Sequence, residues 1–337
     1  MVIGCLPRLE LTIPHENVEA PRPALSVEDS YTNAVVRARH NHYTLSRQEF
    51  VADCLPLSTS DIGPGSLALF IGSEPGFSPE TVWFKPSIHG VADPESLPPL
   101  KFDQDCRWWR ITEAILREEA ALARGKYLVG CPDLVENLDI LAALRDPQNV
   151  LFDLIERPGW VQEKLLEINQ VFFEAHSRVY DIIKLDDGSS AFGAFELWAP
   201  GKVAKVQCDA AAMISPEMFR EFVVPPLVEQ CKWLDYSMFH LDGTQCICHL
   251  DALLEIEDLD AIEWTPQSGI EQGGSPRWYS LYKRILEAGK SLQAIFVLPE
   301  EVIPLLDAVG GKGVYLLVAF RNQREVEAIM DKVEAYR

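Results

Sequence analysis

The chain has 337 residues, nearly half hydrophobic and a quarter charged, the balance of a folded protein with a large core rather than a disordered segment. Its formal net charge of −21 repels polyanions, which argues against nucleic acid and acidic membrane surfaces as partners. No apolar run approaches a membrane span and no signal-peptide pattern opens the chain, so a cytoplasmic protein is expected, and eight cysteines without framework spacing fit reduced thiols.

Residues 1–65, with prolines at 14, 21 and 23, read as an irregular N-terminal extension holding one short helix at 46–54. Ser66-Leu67-Ala68-Leu69-Phe70-Ile71 reads as a buried strand closed by Gly72, and Thr81-Val82-Trp83-Phe84 as part of a hairpin. A proline-rich link at 94–99 precedes a helix over 104–124, striped by Trp108, Ile111, Ile115, Leu116 and Leu122. The alternation then becomes regular. A strand at 126–129 leads to helices at 134–144 and 147–156, the second headed by Asp146-Pro147. Val161, Leu165, Ile168, Phe172, Ala175, Val179 and Ile182 hold a period near 3.6 and predict the longest helix. A strand at 203–208 is followed by a helix at 215–233. The next strand begins at Tyr236 and leads through His240 into the turn at Gly243, with a helix at 245–255 after it. Strands at 259–264, 292–297 and 314–320 alternate with helices at 276–289, 299–308 and 322–336. Seven strands are placed this way, and an eighth is expected within 81–93 or 184–200. The pattern predicts a single (β/α)8 TIM barrel over 66–337, with 1–65 packed on it. A doubly wound open sheet is the alternative, but no glycine-rich phosphate loop follows any strand.

In parallel α/β proteins the C-terminal ends of strands face the ligand crevice. His240 and Asp242 stand at such an end in His240-Leu241-Asp242-Gly243, where Gly243 supplies the freedom to turn sharply. Their ordinary roles would be a hydrogen-bonded core histidine and an N-terminal helix cap.

The second half of the chain resembles the uroporphyrinogen decarboxylase-like superfamily. That superfamily includes corrinoid-linked methyltransferases and is related to the barrel of cobalamin-independent methionine synthase. The resemblance rests on Gln207-Cys208-Asp209, Ile214-Ser215-Pro216-Glu217-Met218-Phe219-Arg220-Glu221-Phe222, Pro225, Phe239-His240-Leu241-Asp242-Gly243, His249-Leu250-Asp251-Ala252-Leu253-Leu254 and Ala261-Ile262-Glu263-Trp264-Thr265-Pro266. It covers about 125–337 and implies one (β/α)8 barrel. Two departures bear on activity. The arginine-rich N-terminal run of the decarboxylases is replaced by the sparser Arg37, Arg39 and Arg47. Where zinc methyltransferases of the superfamily carry His-x-Cys and a late Cys, this chain has His240-Leu241-Asp242 and Val318-Ala319-Phe320.

One candidate centre is therefore His240 and Asp242 with Glu263, which lies 23 residues after His240, one β-α-β step on. The resemblance to methionine synthase implies a glutamate of similar placement in a zinc site. One imidazole and two carboxylates suit Zn2+ or another divalent cation with open positions for substrate. A second candidate, Cys246-x-Cys248-His249 with His240, is opposed by helical geometry, which sets residues 246 and 248 about 200° apart. Asp209 ends a strand and is a candidate for proton transfer or for holding His240. Asp186-Asp187-Gly188 reads as a solvated turn, and Trp264 as packing under a helix. The expectation is a divalent-metal-dependent methyltransferase acting on a small methylated compound or a corrinoid partner protein. Its rivals are a metal-free decarboxylase of a tetrapyrrole-like or aromatic acid and a non-catalytic binding barrel.

Overall fold

The computed structural model describes all 337 residues, and the chain folds into two compact units. The first is discontinuous, built from Met1–Asn17, Thr44–Pro56 and Ser237–Arg337; the second comprises Val18–Tyr43 and Leu57–Tyr236.

The first unit carries five parallel strands: β1 (Val2–Cys5), β2 (Tyr236–Asp242), β3 (Ala261–Thr265), β4 (Ser291–Val297) and β5 (Val314–Val318). Their order is β1-β5-β4-β3-β2. Helices α1 (Tyr279–Glu287), α2 (Pro299–Val309) and α3 (Gln323–Val333) alternate with them as expected. The register sorts the side chains into two faces, because successive residues of a strand point to opposite sides. Ile3, Leu316, Ala294, Trp264 and Leu241 follow one another across the strands, all fully buried. The Trp264 ring lies 4.9 Å from that of Trp278, at the head of α1. The other face carries the row Tyr315, Gln293, Glu263 and His240. A polar row on so apolar a sheet is the first structural sign of a site.

In the second unit Leu57–Ser58, Leu128–Cys131 and Ser190–Phe192 pair in parallel, and Leu197–Ala199 adds an antiparallel edge. Helix Pro158–Ile183 is the long helix predicted from its period, and it buries Val161, Leu165, Ile168, Phe172, Ala175 and Val179. The strand at 190–192 is the one expected within 184–200.

Several elements differ from the expectation. Ser66–Ile71 is a buried 3-10 helix, not a strand; Gly65 and Gly72, both left-handed, bracket it. A short apolar run is compatible with either conformation, and period alone does not separate them. The helix expected at 46–54 is absent: a helix spans Ala34–Leu45, and Gln48–Glu49 pairs antiparallel with Leu9–Glu10. Val2–Cys5, within the stretch read as irregular, is a sheet strand. The helix expected at 245–255 is broken into Gly243–Cys246, a 3-10 turn at Ile247–His249, and Leu250–Leu254. The strand pairing defines a mixed α/β architecture with parallel strands and many helices; it does not trace a closed eight-stranded barrel.

Candidate functional site

Two neighbouring parallel strands bring four polar side chains together in the first unit. β2 and β3 pair His240 with Glu263 and Asp242 with Thr265, so all four project from one face at the C-terminal end of the strands. His240 Nδ1 meets Glu263 Oε2 in a short contact, and Thr265 Oγ1 donates to Glu263 Oε1 over 2.7 Å. Glu263 is fully buried, so a carboxylate there depends on these donors for its stability. The chemical consequence falls on the histidine. With the Nδ1–H donated to the carboxylate, the imidazole is fixed in orientation and Nε2 is its remaining ring nitrogen, the arrangement by which a carboxylate prepares a histidine for a metal or a proton.

Asp242 is half-buried and ends β2, and Gly243 turns the chain with φ +75°, as its place in the sequence predicted. Asp242 does not cap the following helix through its side chain. A reciprocal pair then ties the loops after the two strands together. Gln267 Oε1 accepts from Thr244 N at 2.9 Å, and Gln267 Nε2 donates to Thr244 Oγ1 at 2.9 Å. These loops therefore hold a fixed spacing just beyond the polar block.

The Cys246-x-Cys248-His249 candidate does not gather into a ligand cluster with His240. Cys246 is buried, whereas Cys248 is exposed, donates to the Gln245 carbonyl and lies 3.5 Å from His249 Nε2. Asp187 accepts from both the backbone and the hydroxyl of Ser189 in an exposed turn. None of the eight cysteines is in a disulfide.

Asp209 belongs to the second unit, where it opens a 3-10 helix, Asp209–Met213, and is exposed. Asp139 holds this turn, accepting from the backbone N–H of Asp209 at 2.8 Å and of Ala210 at 2.9 Å. Upstream lies a buried polar cluster that the sequence reading did not single out. Lys205 Nζ is 2.8 Å from Asp133 and bonds Gln207 Oε1, while Gln207 N donates to Glu136 Oε1 at 2.6 Å. Burial pushes the Glu136 carboxyl up to about 8, against the opposing pull of Lys205. The signal was present: a lysine inside the buried run Val203-Ala204-Lys205-Val206-Gln207 requires a partner. Val135, just before the helix Asn137–Arg145, and Asn137, its first residue, both have left-handed φ values, of 57° and 61°. For β-branched Val135 this is strain that local sequence preference would not choose.

No family model and no curated protein matches the sequence. Among solved structures, the chain is similar to a methyltransferase from Methanosarcina mazei, with a TM-score of 0.60 and 13% identity over 99% of this chain and 94% of that one. The likeness shows a shared fold.

No helix is long and apolar enough to cross a membrane.

Proposed function

We propose that the protein is a methyltransferase of the uroporphyrinogen decarboxylase-like superfamily, built on its (β/α)8 plan, that uses a divalent metal, zinc by the character of the donors. The observation that carries this reading is the His240–Glu263–Thr265 chain of contacts at the C-terminal ends of β2 and β3. The fold shared with a methyltransferase and the strand–helix alternation support it.

The residues fit a metal by their chemistry. His240 offers a tautomer-fixed imidazole, and Asp242, two residues on along the same face, offers a carboxylate. Both oxygens of Glu263 are engaged, by His240 and by Thr265, so its part in this reading is to orient and polarise His240 rather than to serve as a third ligand. A divalent cation at such a site lowers the pKa of a bound thiol, alcohol or water and makes it nucleophilic. Asp242 adds negative charge to the site, and the Thr244–Gln267 pair holds the loops beyond it. Asp209, which opens the 3-10 helix just after the strand Val203–Gln207, is the group assigned to proton transfer. The methyl donor in this reading is a small methylated compound or the methylated corrinoid of a partner protein.

The test is demethylation of methylcobalamin in the presence of a panel of small thiols, followed by the change in its visible absorbance. Zinc-reconstituted wild type should transfer the methyl group and His240→Ala should not. No turnover with any thiol, or equal turnover by the variant, would contradict the proposal.

A further inference from the structure

Beyond Thr265 the chain enters a cleft of about 680 Å³, within the range of small-molecule sites, lined by the loop after β3, the end of β4 and Ala319 after β5. Its wall is built with unusual strictness. Tyr282 Oη donates to the Gly273 carbonyl at 2.6 Å, and Trp278 Nε1 to the carbonyls of Glu271 and Gln272 at 3.0 and 3.1 Å. Gly273 lies so close to β4 that any Cβ there would collide with the Ile295 carbonyl, and one at Gly274 would collide with Glu301. Burial holds Tyr282 protonated, so its donation to the loop persists across ordinary pH.

Where this loop presses on it, β4 breaks register against β5 between Ala294 and Val297. The residue in the bulge is Phe296, with φ at +54°, a left-handed conformation that strongly disfavours a bulky side chain. The strained residue is a large aromatic, 46% exposed, and it lines the cleft. Burial does not explain a half-exposed phenylalanine in a costly conformation; presenting its ring to the cleft does. The charged side chains of the lining are Glu271 and Glu301, so an anion is disfavoured. We propose that this cleft binds a planar, uncharged aromatic group, stacked on Phe296. His240, Asp242, Glu263 and Thr265 do not line this cleft, and the proposal rests on the metal reading only for a reaction that follows binding.

Titration calorimetry with quinoline tests it, with non-planar cyclohexylmethanol as control. Quinoline should bind wild type and Phe296→Tyr alike, and Phe296→Gly about tenfold more weakly, the size of one aromatic contact. Phe296→Gly should melt no lower than wild type, because glycine relieves the left-handed strain, so lost binding is not lost folding. His240→Ala should bind quinoline as wild type does, which separates this cleft from the metal reading: failed methyl transfer with intact quinoline binding rejects only the latter. No binding to wild type, equal affinity of Phe296→Gly, equal binding of cyclohexylmethanol, or loss of binding in His240→Ala would each overturn the proposal.

Discussion

A single buried carboxylate organises the candidate site. Glu263 bonds one strand neighbour, His240, and a residue two positions along its own strand, Thr265, so removing it would leave His240 without its Nδ1 partner. His240 and Asp242 were legible from the sequence because a strand end before glycine is a recognisable place. Glu263 was legible as a member of the constellation but its hydrogen-bond partners were not, since which oxygen faces which donor depends on the β2–β3 register. Thr265 carried no signal of its own. In the second unit, Glu136 gives a residue-scale prediction. Its carboxyl is held up to about 8 by burial, so the unfolded chain ionises it at a lower pH than the folded one. The folded state then binds the extra proton between roughly pH 4.5 and 8, and its contribution to stability is lost as pH rises through that window. Glu136→Gln, which keeps an acceptor for Gln207 N, should flatten this slope. Urea denaturation at pH 5 and pH 8 should show the variant gaining on wild type by about 3–4 kcal/mol at the higher pH. Parallel pH slopes in the two proteins would reject the buried-acid account.

At the scale of elements, the strand–helix alternation from β3 onward was readable because each strand is a short apolar run and α1, α2 and α3 are each announced by a cap or proline at or just before their start. Legibility failed where conformation depends on glycine geometry or on distant pairing. Ser66–Ile71 has a strand's composition, yet the left-handed glycines at its two ends fit a tight helical turn. Val2–Cys5 is too short to announce itself, and it is a strand because Val314–Val318 offers it an edge. The phenylalanine bulge of β4 was invisible for the same reason: a register shift is a property of two strands. The loop pressed on that bulge predicts a contrast between two glycines. Gly273→Ala should destabilise the protein by about 1–3 kcal/mol through its clash with Ile295. Gly159→Ala, in the first turn of helix Pro158–Ile183 with open space around it, should raise stability by about 0.5–1 kcal/mol. Similar effects of the two substitutions on the urea midpoint would show that the loop is not held against the strand.

On the scale of the whole molecule, the chain forms two compact units, and the first draws on both ends of the chain. Such assembly is not legible locally, since the pairing of β1 with β5 joins residues more than three hundred positions apart. The net charge of −21 makes a cationic cofactor centre easier to hold than a polyanionic substrate, in keeping with the metal reading over a polycarboxylate decarboxylase. In the proposed reading His240, fixed by Glu263, holds a divalent metal. Its most direct test is the metal content, by inductively coupled plasma mass spectrometry, of protein purified from unsupplemented medium as wild type, His240→Ala and Glu263→Gln. Near-stoichiometric zinc is expected in wild type, none in His240→Ala, and affinity reduced about 10–100-fold in Glu263→Gln, as for a lost histidine partner. Wild type that holds no divalent metal even after reconstitution, or His240→Ala that holds as much as wild type, would contradict it.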